Sequence, residues 1–157
     1  MPFKPFIRMK KKSILIAVNE KLLRETWSAI FNADNRFKVV AATGKTQECL
    51  TLLKKHHPAI VITDIHETQL KLLPVLTSGK KPVAMSVIFI LTTVIPSFVR
   101  EVIKTGVSGL ITKNSSLEEM IHAITEVSEK RKYICTEFHE LWEHTPDSQK
   151  QASSAYC

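Results

Sequence analysis

At 157 residues the chain is long enough for one domain with a sizeable core, and its 44% hydrophobic and 24% charged residues are an ordinary globular balance. The formal charge of +7 invites a nucleic-acid or membrane-surface role, but five of the 22 bases (Lys4, Arg8, Lys10, Lys11, Lys12) fall in the first twelve residues without an acid. The remainder carries 17 bases against 15 acids, so the excess belongs to a solvated leader over residues 1–12. Within that leader, Met9-Lys10-Lys11-Lys12-Ser13 reads as a natural start, with residues 1–8 an upstream extension. Cys49, Cys135 and Cys157 form no paired spacing, which suits a reducing compartment. No apolar run reaches the ~20 residues of a membrane helix, so a cytoplasmic protein without membrane contact is expected.

From Ser13 the chain alternates strands and helices. Ser13 to Val18 reads as a strand, followed by a helix with Leu23, Trp27, Ile30 and Phe31 on one face. A second strand over Phe37–Ala42 leads to a helix carrying Leu50 and Leu53 and ending near His56-His57-Pro58. Ala59-Ile60-Val61-Ile62-Thr63 is a strand apolar enough to be buried on both faces, and it delivers Asp64 at its tip. A helical turn around Gln69–Leu73 is expected before Pro74. Val87–Leu91 then forms a strand ending on Thr92. Pro96 starts a helix presenting Val99, Val102 and Ile103, and Gly106 closes it. Gly109–Thr112 ends on Lys113, and Ser116-Leu117-Glu118-Glu119 is a capping box opening a helix striped by Met120, Ile121, Ile124 and Val127. From Lys130 the pattern stops. Glu137–Glu143 could form a short helix, and the last residues are polar.

Five such units predict an α/β fold with a parallel sheet covered by helices on both faces, where active sites gather at the C-terminal strand tips. Asp64, Thr92 and Lys113 place an acid, a hydroxyl and an ammonium at three such tips, a set suited to a phosphoryl group. The same residues would also serve as an ion pair and a bonded hydroxyl at the sheet end.

Two other patterns carry less. Gly44-Lys45-Thr46 opens a helix after a strand, but Val39 stands where a phosphate-binding loop needs its first glycine. His139 and His144 are five residues apart, about 140° around a helix, so they cannot share a zinc as residues four apart do.

Taken in register, Ile14–Ala17, Pro58–Ile65, Ile90–Thr92 and Gly106–Lys113 resemble the response-regulator receiver domain of the CheY-like superfamily, particularly its NarL/FixJ branch. The resemblance spans about Ser13 to Tyr133. It divides the chain into a basic leader (1–12), a receiver domain (13–133) and a short polar tail (134–157). It implies a flavodoxin-like three-layer sandwich with a five-stranded parallel sheet of order 2-1-3-4-5. It further implies Asp64 as phosphoacceptor, Thr92 as the switch hydroxyl and Lys113 as the phosphate-pairing lysine. Magnesium would be held by Asn19, Asp64 and the His66 backbone carbonyl.

The departures are concentrated at the metal. The family's two acids after the first strand are Val18 and Asn19 here, with Glu20 displaced by one position. Thr93 replaces a small residue, Leu110 replaces the switch aromatic, and His66-Glu67-Thr68-Gln69 replaces the usual loop after the aspartate. A weak or absent Mg²⁺ site follows, with Lys113 as the main counter-charge of Asp64. The chain is read as a signalling module and not an enzyme. Its partners would be a sensor histidine kinase or small phosphodonor, and a protein effector or second copy bound through a helix face. A phosphorylation-independent module acting only through protein contact stays open. Residues 134–157 are too short and polar for a helix-turn-helix. The chain is therefore a stand-alone receiver or a fragment of a DNA-binding regulator, and touches no nucleic acid by itself.

Overall fold

The computed structural model describes residues 10–65, 85–92 and 94–143. Its elements in chain order are β1 (Lys12–Ala17), α1 (Lys21–Ala33), β2 (Phe37–Thr43), α2 (Thr46–His56), β3 (Ile60–Ile65) and β4 (Ser86–Leu91). Then come α3 (Pro96–Lys104), β5 (Gly109–Thr112), α4 (Leu117–Ser128), β6 (Tyr133–Ile134), a 3-10 turn (Thr136–Phe138) and α5 (His139–Glu143). All strand pairs are parallel, and the order is β2-β1-β3-β4-β5-β6. Every residue of β4 and β5 is buried, as expected of strands covered on both faces.

The helices form where the apolar spacing places them. Trp27 and Phe31 on α1, and Val99, Val102 and Ile103 on α3, are buried against the sheet. Pro96 occupies the first turn of α3, where its missing N–H costs nothing, and Gly106 follows the helix at φ 77°. Ser116 caps α4 by accepting the Glu119 N–H at 3.0 Å. The Glu119 carboxylate is used elsewhere, as acceptor of the Tyr133 hydroxyl at 3.1 Å. Gly109 lets α4 close on the sheet, because a Cβ there would stand 2.9 Å from Ile88 Cγ1 and 3.2 Å from Val127 Cγ1.

Among the described residues the sheet has six strands, one more than the sequence pattern predicts. After Lys130 the chain returns alongside β5, with the Tyr133 N–H donating to the Ser108 carbonyl and the Cys135 N–H to that of Leu110. Ile134, Cys135 and Phe138 are buried within 2% exposure, so the core extends past Tyr133 into what reads as a polar tail. A two-residue strand is too short to show a period, which is why the pattern seems to stop at Lys130. The expected turn at Gln69–Leu73, Thr93, His144 and Cys157 lie outside the described residues. Cys49 and Cys135 are free and buried, and burial pushes their thiols up to about 11 and about 12, away from reactivity.

Candidate functional site at the strand tips

Asp64 sits inside β3, one residue before its end, opposite Ile90 of β4, which in turn faces Ile111 of β5. Thr92 and Lys113 lie two residues beyond those partners. All three residues thus lie at neighbouring strand tips along one edge of the sheet. The backbone ties the tips together, with the Lys113 N–H donating to the Leu91 carbonyl at 3.1 Å. Asp64 is buried at 7% exposure, and its Oδ2 accepts the Asn19 N–H at 3.0 Å. Thr92 is half-buried just past β4.

The Lys113 ammonium departs from expectation. Its ion pair is with Glu20 Oε1, and among the described residues it makes none with Asp64. Glu20 is the N-cap residue of α1, so its carboxylate lies where the helix dipole favours negative charge. A displaced acid at a helix start has captured the lysine expected to serve the aspartate.

A second cation, Arg24, was not legible as part of the site. Its Nη1 donates to the carbonyls of Val18 at 2.8 Å and Asn19 at 3.2 Å, clamping the loop that presents Asn19 to Asp64. Gly44 gives it room, because a Cβ there would stand 2.6 Å from Arg24 Nη1. The glycine after β2 thus serves a close approach and no phosphate loop. A faint signal existed: an arginine one turn into α1, behind a loop whose first two positions, Val18 and Asn19, carry no acid.

Magnesium requires hard oxygen ligands in near-octahedral geometry, usually including carboxylates. The β1–α1 loop does not supply them. Val18 is buried and apolar, its carbonyl and that of Asn19 are occupied by Arg24, and the Glu20 carboxylate is held by Lys113. Among the described residues no three His, Cys, Asp or Glu side chains gather closely enough for a metal. His66 lies outside the described residues. Among the described residues, the donors at these strand tips therefore do not fit the ion.

A parallel sheet of this order, with an aspartate at the tip of β3, defines a receiver-type α/β domain. Residues 14–125 match the response regulator receiver domain, and the chain belongs to that family. It is similar to the transcriptional regulatory protein DesR of Bacillus subtilis (strain 168), 28% identical over 131 residues, covering 82% of this chain but 64% of DesR. Among solved structures it resembles a LuxR-family DNA-binding response regulator from Staphylococcus aureus, with TM-score 0.66, 24% identity, and 74% and 98% of the two chains covered. It also resembles the isolated REC domain of RcsB from Salmonella enterica serovar Typhimurium in the apo form, with TM-score 0.74, 15% identity, and 85% and 99% covered. The flavodoxin-like receiver fold is thereby established. No described helix is long and apolar enough to cross a membrane.

Proposed function

We propose that this chain is a receiver module that signals through protein–protein contact, with little or no metal-dependent phosphorylation of Asp64. The observation that carries this reading is the Glu20–Lys113 ion pair. It commits the one acid of the Val18-Asn19-Glu20 loop and the conserved-type lysine to each other. Phosphoryl transfer depends on neutralising the charge of the moving group, and this pocket has surrendered both means of doing so. The Asn19 backbone N–H donates to Asp64, which orders the carboxylate without activating a donor.

A second reading has its own support. Asp64, Thr92 and Lys113 fall at three neighbouring strand tips, which supports a phosphoacceptor site served by a sensor histidine kinase or small phosphodonor. Under either reading the chain is a signalling module and not an enzyme. The effector is a protein surface or a second copy engaged through a helix face. Because the chain spans 64% of DesR, a DNA-binding output carried elsewhere in a longer protein is a further form of the same role.

Acetyl phosphate with Mg²⁺, read by intact-mass spectrometry, separates the two. The natural sequence should stay unmodified and bind Mg²⁺ no more tightly than about millimolar, the weak end of oxygen-ligand sites. Val18→Asp with Asn19→Asp should strengthen metal binding and bring phosphorylation of Asp64. Ready Mg²⁺-dependent phosphorylation of the natural sequence would overturn the first reading in favour of the second.

A further inference from the structure

Charge is distributed unevenly between the two ends of the sheet. At the Asp64 end, where strands stop and helices begin, the cations are matched. Lys21 pairs with Glu25, Lys45 with Glu48 and Lys113 with Glu20, and Arg24 donates to carbonyls. At the opposite end, where helices stop and strands begin, stand Lys10, Lys11, Lys38, Lys54 and Lys55. All five are exposed, and among the described residues none of them enters an ion pair. A cavity lined by Lys10, Lys11, Lys12, His57 and Lys130 joins the start of β1 to the ends of α2 and α4, so these segments share one surface. We propose that this end of the molecule is a docking surface for an anionic lipid bilayer, with the lysines at the headgroups and apolar side chains of residues 1–9 inserted among them.

The excess survives a full count of the acids. Asp34 and Glu101 are each held by one base, Arg36 and Lys104. Glu126 and Glu129 share Arg131, which leaves one unmatched carboxylate beside the surface. Against it stand the five exposed lysines and Lys12, with Lys130 and Lys132 left out altogether. The plainer role for these ammoniums is to complement the helix ends, as Lys12 does by donating to the Ser128 carbonyl at the end of α4. Four helices, α1 to α4, end here, and at roughly half a negative charge each they supply about two. A surplus of about three positive charges therefore remains.

Composition chooses among anionic partners. The unpaired cations are all lysines, while Arg36 and Arg131 are held by acids. The planar forks suited to reading bases are thus engaged, and what is left is the diffuse attraction that an anionic leaflet exerts on lysine. Directly ahead of Lys10, the sequence interleaves Phe3, Phe6 and Ile7 with Lys4 and Arg8 and contains no acid. Aromatic and aliphatic side chains among bases suit a lipid interface, which receives apolar groups and cations together. The expectation of no membrane contact rests on the length of a spanning helix, which peripheral attachment does not need. Docking by this end leaves Asp64, at the far tips of the strands, turned away from the lipid.

The full chain should be floated with phosphatidylcholine vesicles holding about one third phosphatidylserine, and with pure phosphatidylcholine vesicles. It should float with the first and not with the second, and added salt should release it. Lys54→Gln with Lys55→Gln should weaken partitioning about tenfold or more, since each lysine near the surface contributes about fivefold, with the fold checked by circular dichroism. Lys45→Gln, at the Asp64 end, should change partitioning less than about twofold, because it lies beyond the screening length. Phe3→Ser with Phe6→Ser should also weaken it, through loss of apolar insertion. No preference for the anionic vesicles would overturn the proposal, as would equal loss in the Lys45 and Lys54/Lys55 variants. So would undiminished binding in the Phe3/Phe6 variant, or tighter binding of duplex DNA at the same ionic strength. No step of this assay involves phosphorylation, so its outcome is read independently of the acetyl phosphate experiment.

Discussion

Arg24 donates to two successive carbonyls in the loop whose next N–H holds Asp64, so the aspartate is positioned by a guanidinium it does not pair with. Glu20 and Lys113 show the same economy of charge, each satisfying the other at the edge of the site. A third cluster makes the electrostatics measurable. The Arg131 guanidinium donates to Glu126 at 2.6 Å and also pairs with Glu129. The hydrogen bond from Arg131 is the chief cause that holds Glu126 below the usual glutamate value of 4.5. Because the folded value is the lower one, this contribution to stability is present above the unfolded value and is lost as pH falls through the folded value. Carboxyl NMR titration should give Glu126 a midpoint below 4.5, and Arg131→Ala should return it toward the ordinary value. An unchanged midpoint in that variant would show that the pair does not persist in solution.

The C-terminal elements change what the chain past Tyr133 is for. The two-residue β6 extends the sheet beyond β5, and the 3-10 turn after it delivers Phe138, fully buried at 0% exposure. His139 strengthens the turn, its Nε2 donating to the Ile134 carbonyl at 2.7 Å, so this histidine serves the backbone rather than a metal. Leu141 of α5 packs on the same core. Truncating Phe138 to alanine should cost about 3–5 kcal/mol, the usual loss for a buried phenylalanine, read by urea unfolding. A loss below about 1 kcal/mol would mean that the segment rests on the domain without completing it.

For the whole molecule, the outermost strands among the described residues are β2 and the very short β6, while helices cover the sheet's faces. Association through strand edges is therefore limited, and helix faces are the larger surfaces on offer. Leu22 on α1 and Leu117 at the start of α4 are 78% and 46% exposed and put apolar surface on two of those helices. Static light scattering across a wide concentration range should show a mass rising above that of one chain. Leu117→Lys should suppress the rise if the α4 face is used. A single-chain mass throughout would remove self-association from the proposed role.

The sequence alone was sufficient for the order of the described strands and helices from β1 to α4, because continuous apolar runs and 3.6-residue stripes are local signals of burial. Asp64, Thr92 and Lys113 could be placed at strand tips for the same reason, since each follows directly on such a run. The absence of acids at Val18 and Asn19 was likewise plain from residue identity. What required tertiary structure was every pairing between distant elements. Lys113 choosing Glu20, Arg24 reaching across Gly44, and Lys10 to Lys12 meeting Lys130 all join residues far apart in sequence. Local pattern carries no information on such meetings, because they depend on how the sheet stacks its strands in space. The sixth strand belongs with them. Tyr133 and Ile134 have no period of their own and become a strand only because the backbone of β5 stands open beside them.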